Sequence, residues 1–469
     1  MIADLKPYAD YKDSGLPWLG PVPAHWRTVR NGSLFGQRSQ TGYAALPILE
    51  VSLKTGVRVR SFGDGGRKQI MSDLGKYKRA VRGDLAYNTM RMWQGALGVC
   101  PADGLVSPAY VVARPYPGVD SRYFSALFRT DDYMAEIDSA SRGIVKDRNR
   151  LYWDQFKQMR SPCPLPEEQA AIVRFLDWAN GRLERTIRAK RKVIALLMEQ
   201  KQAVIYRAVT CGLDPGVALK PSGVPWLGDI PKHWEARRLK SLCHFVTSGS
   251  RGWARYYADA GSVFLRIGNI STTSVDLRLK RISYVTPPKD AEGERTRALP
   301  DDLLLSITAQ IGAVGVVPEG LGEAFVNQHT ALIRLRRKEC VPRWIAYGLL
   351  SQFGKDQCRL LTNGGTKVGL TLGDVRCLSV LLPPFDEQLR IVAAVEGETR
   401  QLNLAIARLE REIELLREYR TRLIADIVTG KLDVRKAAAR LADEPAPDIA
   451  DNLADGTDEP ELADEETLA

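Results

Sequence analysis

The sequence predicts an α+β chain made by tandem duplication. Two mixed domains are each followed by a long helix, and the two helices pair as an antiparallel coiled coil under pseudo-two-fold symmetry. Three observations carry this prediction. The stretch Ser14–Trp26 reads SGLPWLGPVPAHW and returns as SGVPWLGDIPKHW over Ser222–Trp234, an offset of 208 residues. A period this long is far beyond a solenoid unit, so whole domains repeat. Next, PLPEEQ at Pro164–Gln169 returns as PPFDEQ at Pro383–Gln388, an offset of 219. Finally, each Glu-Gln motif opens a run of about 40 residues whose apolar positions step by three and four, the signature of a coiled-coil seam.

These landmarks divide the chain into a first domain over 1–160, a long helix within 161–215, a second domain over 216–380, a second long helix within 381–435 and a tail over 436–469. The difference between the two offsets makes the second domain about eleven residues longer. Within the domains, Pro47–Ser52, Gly83–Tyr87, Val263–Gly268 and Asp301–Leu305 are short aliphatic runs bounded by turn residues, which read as strands. Arg122–Phe128 and Arg343–Leu350 read as short helices. Pro and acidic residues precede each long helix, where the helix dipole favours negative charge. The seam of the first helix runs through Leu176, Leu183, Ile187, Ile194, Leu197 and Val204. That of the second runs through Leu402, Ile406, Leu409, Ile413, Leu416 and Leu423. A helix of about 40 residues is about 60 Å long and needs a partner for its apolar stripe, and the nearest is its own repeat. Lys201 and Arg420 occupy matching seam positions. We read their stems as snorkelling to solvent, the alternative being a polar residue that fixes register.

The 469 residues carry a net charge of +11, with 44% hydrophobic and 26% charged residues. The last 27 residues, Asp443–Ala469, hold eleven Asp or Glu and no Lys or Arg, which leaves +22 on the remainder. A body this basic points to a polyanion partner, nucleic acid being the commonest. The tail reads as disordered, either a solubilising extension or a docking or DNA-mimicking segment. No run of about 18 apolar residues marks a membrane span, and no apolar signal core opens the chain. The seven cysteines (100, 163, 211, 243, 340, 358 and 377) are scattered and form no CxxC, so we expect free thiols in a reducing cytoplasm.

The motif SGxPWLGxxPxHW, a variable domain, a Pro-rich turn into [DE]EQ and a long helix, all occurring twice, resembles the specificity subunit of type I restriction–modification systems. The resemblance covers residues 10–435. It implies that each variable domain is a target-recognition domain reading one half of a bipartite double-stranded DNA site, and that the helices set the gap between the halves. It also implies partners: two methyltransferase subunits that bind S-adenosylmethionine and methylate adenine at N6, and restriction/translocase subunits that use ATP and Mg. The chain itself is then a non-catalytic, cytoplasmic DNA-binding subunit in defence against foreign DNA, without cofactor, metal or membrane. The same type of subunit also serves fused methyltransferase-nucleases, which the sequence does not separate from the first arrangement. A coiled-coil scaffold without a DNA role conflicts with the basic body.

Candidate DNA-binding residues follow from the chemistry of readout, in which Arg and Lys suit guanine and phosphate and Asn and Gln suit adenine. In the first domain these are Lys54, Arg58, Arg67, Lys68, Arg91, Arg142, Lys146, Arg148 and Arg150. In the second they are Arg251, Arg255, Arg266, Asn269, Gln310, Asn327, His329 and Lys367. Tyr43, Trp93, Trp253 and Tyr256 suit base stacking, with core packing the preferred reading. Trp18, Trp26, Trp226 and Trp234 read as packing each domain's start against a helix end, and His25 and His233 as structural. No catalytic residues emerge. The nearest decoy, Leu382-Pro-Pro-Phe385, lacks the Asn or Asp that an amino-methyltransferase uses to accept from the target amine. No glycine-rich cofactor loop or P-loop is present.

Overall fold

The computed structural model describes residues 5–53, 55–60, 74–142, 149–224, 227–249, 252–287, 291–362 and 369–441. Two compact units emerge, one formed by Met1–Arg188 with Glu412–Ala469 and the other by Ala189–Arg411. Neither unit is a domain with its own helix. Each takes the start of one long helix and the end of the other.

In the first unit a four-stranded antiparallel sheet has the order Phe35–Arg38, Tyr110–Pro115, Leu85–Asn88, Leu97–Val99. In the second unit the order Cys243–Ser248, Thr330–Leu335, Leu303–Ser306, Val314–Val316 repeats it strand for strand. The strand that closes each domain also matches: Arg160–Cys163 pairs with Arg27–Arg30, and Ser379–Leu382 with Glu235–Arg238. These closing strands carry the first domain to Cys163 and the second to Leu382, slightly past the sequence boundaries. The units differ in their second layer. The first has the hairpin Leu49–Ser52/Gly56–Val59 beside a two-stranded ladder, Lys78–Ala80 with Gly104–Val106. The second builds one five-stranded sheet from the equivalent segments. A parallel contact survives in both, Ile48 beside Leu105 and Val263 beside Ala324.

The predicted short helices appear as Ser121–Phe128 and Pro342–Leu350. Their apolar faces enter the cores, with Tyr123, Phe124, Leu127 and Phe128 in one and Trp344, Ile345, Leu349 and Leu350 in the other.

The long helices run Pro166–Cys211 and Phe385–Val428, with Glu167 and Glu168 in one first turn and Asp386 and Glu387 in the other. Each stops at a left-handed glycine, Gly212 at φ 76° and Gly430 at φ 81°. Left-handed backbone is nearly free for glycine and costly for other residues. At Gly430 a Cβ would also lie 2.4 Å from Pro23 Cδ and 3.1 Å from Trp26 Cη2. At Gly212 it would lie 3.2 Å from Trp234 Cζ2. Both helix ends thus close on the Trp of an HW motif.

Of the twelve predicted seam residues, Leu176, Leu183, Ile187, Ile406, Ile413 and Leu423 are buried and the other six are half-buried. Lys201 and Arg420 depart from the snorkelling expectation. Lys201 is 6% exposed and donates to Asn403 Oδ1 at 2.8 Å, while Arg420 pairs with Glu184. A buried ammonium must find an acceptor because desolvation disfavours its charge, and burial accordingly pulls the Lys201 pKa down. The tail boundary also moves. Arg435–Ala439 is a short helix whose Ala437 and Ala438 are buried in the first unit's core, so the packed chain runs past residue 436.

Candidate nucleic-acid interface

Two sets of residues must be separated before an interface can be placed: those that hold each domain on its helices and those left at the domain's open edge. The holding set comes from the repeated motifs. In the first unit Glu168 accepts from Tyr8 Oη at 2.7 Å and meets His25 Nε2 at 2.7 Å. In the second, Glu387 meets His233 Nε2 at 2.7 Å and accepts from Trp234 Nε1 at 3.1 Å. The following glutamines act as clamps. Gln169 donates to Pro164 O at 2.9 Å and accepts from Asp120 N at 2.8 Å, and Asp120 caps the helix Ser121–Phe128. Gln388 donates to Pro383 O at 2.9 Å and accepts from Val341 N at 2.8 Å, at the head of Pro342–Leu350. The Glu-Gln motif therefore joins a long helix, a short helix and the domain's opening segment. Sequence reasoning read it only as a helix start. The signal was present in the matched recurrence of His25 with Glu168 and of His233 with Glu387.

The open edge of the second unit gathers several loops through backbone contacts. Gly249 N donates to Asn327 O at 3.1 Å, and Asn327 N to Leu265 O at 3.2 Å. Ile307 N donates to His329 O at 3.1 Å, and Leu370 N to Ile307 O at 2.8 Å. The segments that start or end at residues 249, 265, 307, 327 and 370 thus meet at one end of the sheets. In the first unit the counterpart contact is Leu151 N to Thr89 O at 2.9 Å. It ties the base of the Arg142–Arg150 loop, where these two residues exchange backbone bonds at 3.0 Å, to the turn that carries Arg91. Tyr110 lies beside the same turn. Burial raises its pKa, and Arg91, Glu50 and Arg60 are near enough to act on it.

The comparisons with known proteins bear on this arrangement directly. The type I restriction modification DNA specificity domain matches residues 231–415. The protein named as the MjaX type I restriction enzyme specificity subunit of Methanocaldococcus jannaschii is 24% identical over 440 residues, spanning 89% of this chain and 96% of that protein. By sequence this chain is similar to the type I restriction–modification specificity subunits over most of its length. The EcoBI specificity subunit of Escherichia coli is 25% identical over 295 residues, 58% of this chain and 61% of that protein. A chain from a solved structure of a type I R-M system superposes with a TM-score of 0.58 at 17% identity, covering 88% of this chain and 99% of that one, which shows a shared fold.

The predicted residues divide at the open edge. Arg91, Arg142 and Arg150 come together in the first domain, all exposed. Arg58 is exposed at the nearby hairpin and pairs with Glu50. In the second domain Gln310 is exposed at the turn after Leu303–Ser306. Arg255 lies over Tyr256 at 4.8 Å and Arg266 over Tyr257 at 5.9 Å, both exposed. Lys54, Arg67, Lys68, Lys146, Arg148, Arg251 and Lys367 lie outside the described residues, as does Trp226.

Two predicted readers are buried. Asn269 is 4% exposed. Its Oδ1 accepts from Arg266 N, and its Nδ2 donates to Arg278 O at 2.9 Å and Arg281 O at 3.1 Å, so it staples its own loop. Asn327 is 8% exposed, and its Oδ1 accepts from Thr330 Oγ1 at 2.9 Å. Asn269 thus spends both amide hydrogens on its own loop, while Asn327 spends its oxygen on Thr330. His329 has both ring nitrogens engaged, Nδ1 with Thr308 Oγ1 at 3.1 Å and Nε2 with Gln328 Nε2 at 2.9 Å, so it orients neighbours.

The aromatic candidates divide as well. Trp253 is 3% exposed and stacks on Phe264 with centroids 5.5 Å apart, which is core packing. Trp93 is half-buried and donates to Met90 O, and Tyr256 is half-buried. Tyr43 is exposed with Arg79 4.7 Å from its ring centroid. Sequence reasoning passed over Tyr257 and Tyr152, which are 44% and 47% exposed at this edge. Tyr257 lies under the candidate Arg266, and Tyr152 follows Arg150 by two residues in the chain.

Among the described residues no group of three or more His, Cys, Asp or Glu is placed to hold a metal ion. Burial pushes the Cys100 and Cys340 thiols up to about 12, far from a reactive thiolate at neutral pH. No described helix is long and apolar enough to cross a membrane.

Proposed function

We propose that this chain is the specificity subunit, the non-catalytic reading component, of a type I restriction–modification complex, each domain recognising one half of a bipartite duplex site. The observation that carries this reading is the pairing of one strand order with two different sets of edge loops. Identical frames with unlike edges suit two readers of unlike half-sites. Exposed Arg and Lys side chains supply phosphate affinity that falls with salt, while base-edge contacts supply sequence.

The long helices are the spacer. The contacts Glu184–Arg420 and Lys201–Asn403, each inside its own unit, support antiparallel pairing. A 46-residue helix spans about 69 Å, enough to separate two readers by one turn of duplex, about 34–36 Å. The seam then sets the gap, and two methyltransferase subunits dock on the assembly. They carry S-adenosylmethionine and methylate adenine at N6. Restriction/translocase subunits add ATP- and Mg-dependent cleavage, all in the cytoplasm.

Replacing residues 27–160 with the first domain of another specificity subunit tests the modular reading. One half-site of the methylated sequence changes while the other half and the gap stay the same. A change in both halves overturns it.

A further inference from the structure

We infer that Gln310 reads an adenine in the half-site of the second domain, held in place by a Thr308–His329–Gln328 network. The inference rests on the reading function proposed above and adds to it a residue, a base and a supporting shell.

Only two non-glycine residues among those described have a left-handed backbone, Asp301 at φ 67° and Gln310 at φ 54°. Asp301 has a local reason, since its carboxylate meets Arg337 Nη1 at 3.3 Å. Gln310 has none. Its side chain is exposed and its amide makes no hydrogen bond with the described residues. The equivalent turn of the first unit reverses with one left-handed glycine, Gly95 at φ 88°, and the second unit keeps that glycine as Gly312 at φ 86°. The second turn passes between its paired strands in one residue fewer than the first, Gln310 supplies its second left-handed position, and strained exposed residues of this kind gather at binding sites.

The turn is braced to hold that conformation. Ala313 N donates to Gln310 O at 3.1 Å, Ser306 N to Ala313 O at 2.9 Å, and Ile307 N to His329 O at 3.1 Å. An amide N–H only donates, so His329 Nε2 accepts from Gln328 and its Nδ1–H donates to Thr308 Oγ1, two residues before Gln310. His329 and Thr308 are positioning residues. What remains free is a carboxamide on a fixed turn, with one acceptor and one N–H donor side by side. That pattern matches adenine N7 and N6–H in the major groove.

The test uses the chain co-purified with its methyltransferase partner. Duplexes carry the motif mapped from genomic N6-methyladenine, with each base pair substituted in turn. Gln310→Gly suits the left-handed backbone, so it keeps or raises the melting temperature while removing the amide. The expected result is that discrimination of about tenfold at one A·T pair of one half-site collapses to about twofold or less, the rest of the profile being unchanged. An unaltered profile overturns the inference, and so does loss of discrimination at several pairs or in both halves. Absence of any sequence preference in the unsubstituted complex overturns the proposed function instead. Thr308→Val separates positioning from reading: it weakens discrimination at the same pair only, and an effect elsewhere removes the network from the account.

Discussion

The two units share a frame and differ at an edge, and the frame itself is not copied atom for atom. Glu168 and Glu387 sit at the same place, each 2.7 Å from a histidine. In the second unit the remaining oxygen of Glu387 accepts from Trp234 Nε1. In the first, Tyr8 takes that oxygen, and Trp26 Nε1 is buried without a partner among the described residues. One carboxylate thus serves a different second partner in each half, because the first domain's opening segment brings Tyr8 to Glu168. The lesson is that duplicated residues fix geometry, while hydrogen-bond partners inside that geometry drift. Larger drift is confined to the edge, where a hairpin in one unit is part of a five-stranded sheet in the other.

If the frame holds each domain equally, its central tryptophans are the strongest handle. Trp26→Ala and Trp234→Ala each cost about 3–5 kcal/mol, read by chemical denaturation, because both rings are fully buried. A small effect at only one of them breaks the equivalence. Glu168→Ala and Glu387→Ala come next, at about 1–3 kcal/mol each. The loss is larger at Glu168, whose side chain is 4% exposed against 19% for Glu387, and whose removal strands a buried tyrosine hydroxyl.

The edge responds differently. Arg91→Ala with Arg150→Ala changes stability by no more than about 0.5 kcal/mol, as exposed substitutions do. It flattens the salt dependence of DNA binding by about one unit of slope for each phosphate no longer neutralised. An unchanged slope removes this loop from the interface. The smallest effect is in the spacer. Burial lowers the Lys201 pKa, so desolvation works against the charge of its ammonium. Lys201→Met with Asn403→Leu is therefore neutral or stabilising by up to about 1 kcal/mol, seen as an equal or higher melting temperature. The sign of the pH effect follows: a lowered lysine pKa weakens the fold as pH falls through the unfolded lysine range near about 10.4, and the double variant loses that dependence.

The frame was legible in the sequence because it is written twice. The recurrence of SGxPWLGxxPxHW and of the Glu-Gln motif located the domains, and the three-four period located the seam. What the period does not encode is which polar side chain meets which. Lys201 faces Asn403 only because of where the second helix lies, and nothing in the local sequence marks Asn403. Asn269 and Asn327 looked like adenine readers by residue type, yet Asn269 spends its amide on Arg278 and Arg281, and Asn327 is buried with its oxygen on Thr330. Residue type names a chemistry, and tertiary packing decides whether it remains free. The same limit hid the short helix Arg435–Ala439, since five residues leave no periodic signal beside an acidic run.

The central claim is that this chain supplies the sequence preference of a methylating complex. The most direct measurement is a single-molecule map of N6-methyladenine in the host genome with the gene intact and deleted. The account predicts a two-part motif with a fixed gap that disappears on deletion and returns on complementation. A methylation pattern identical with and without the gene, in cells that express the methyltransferase partner, contradicts it.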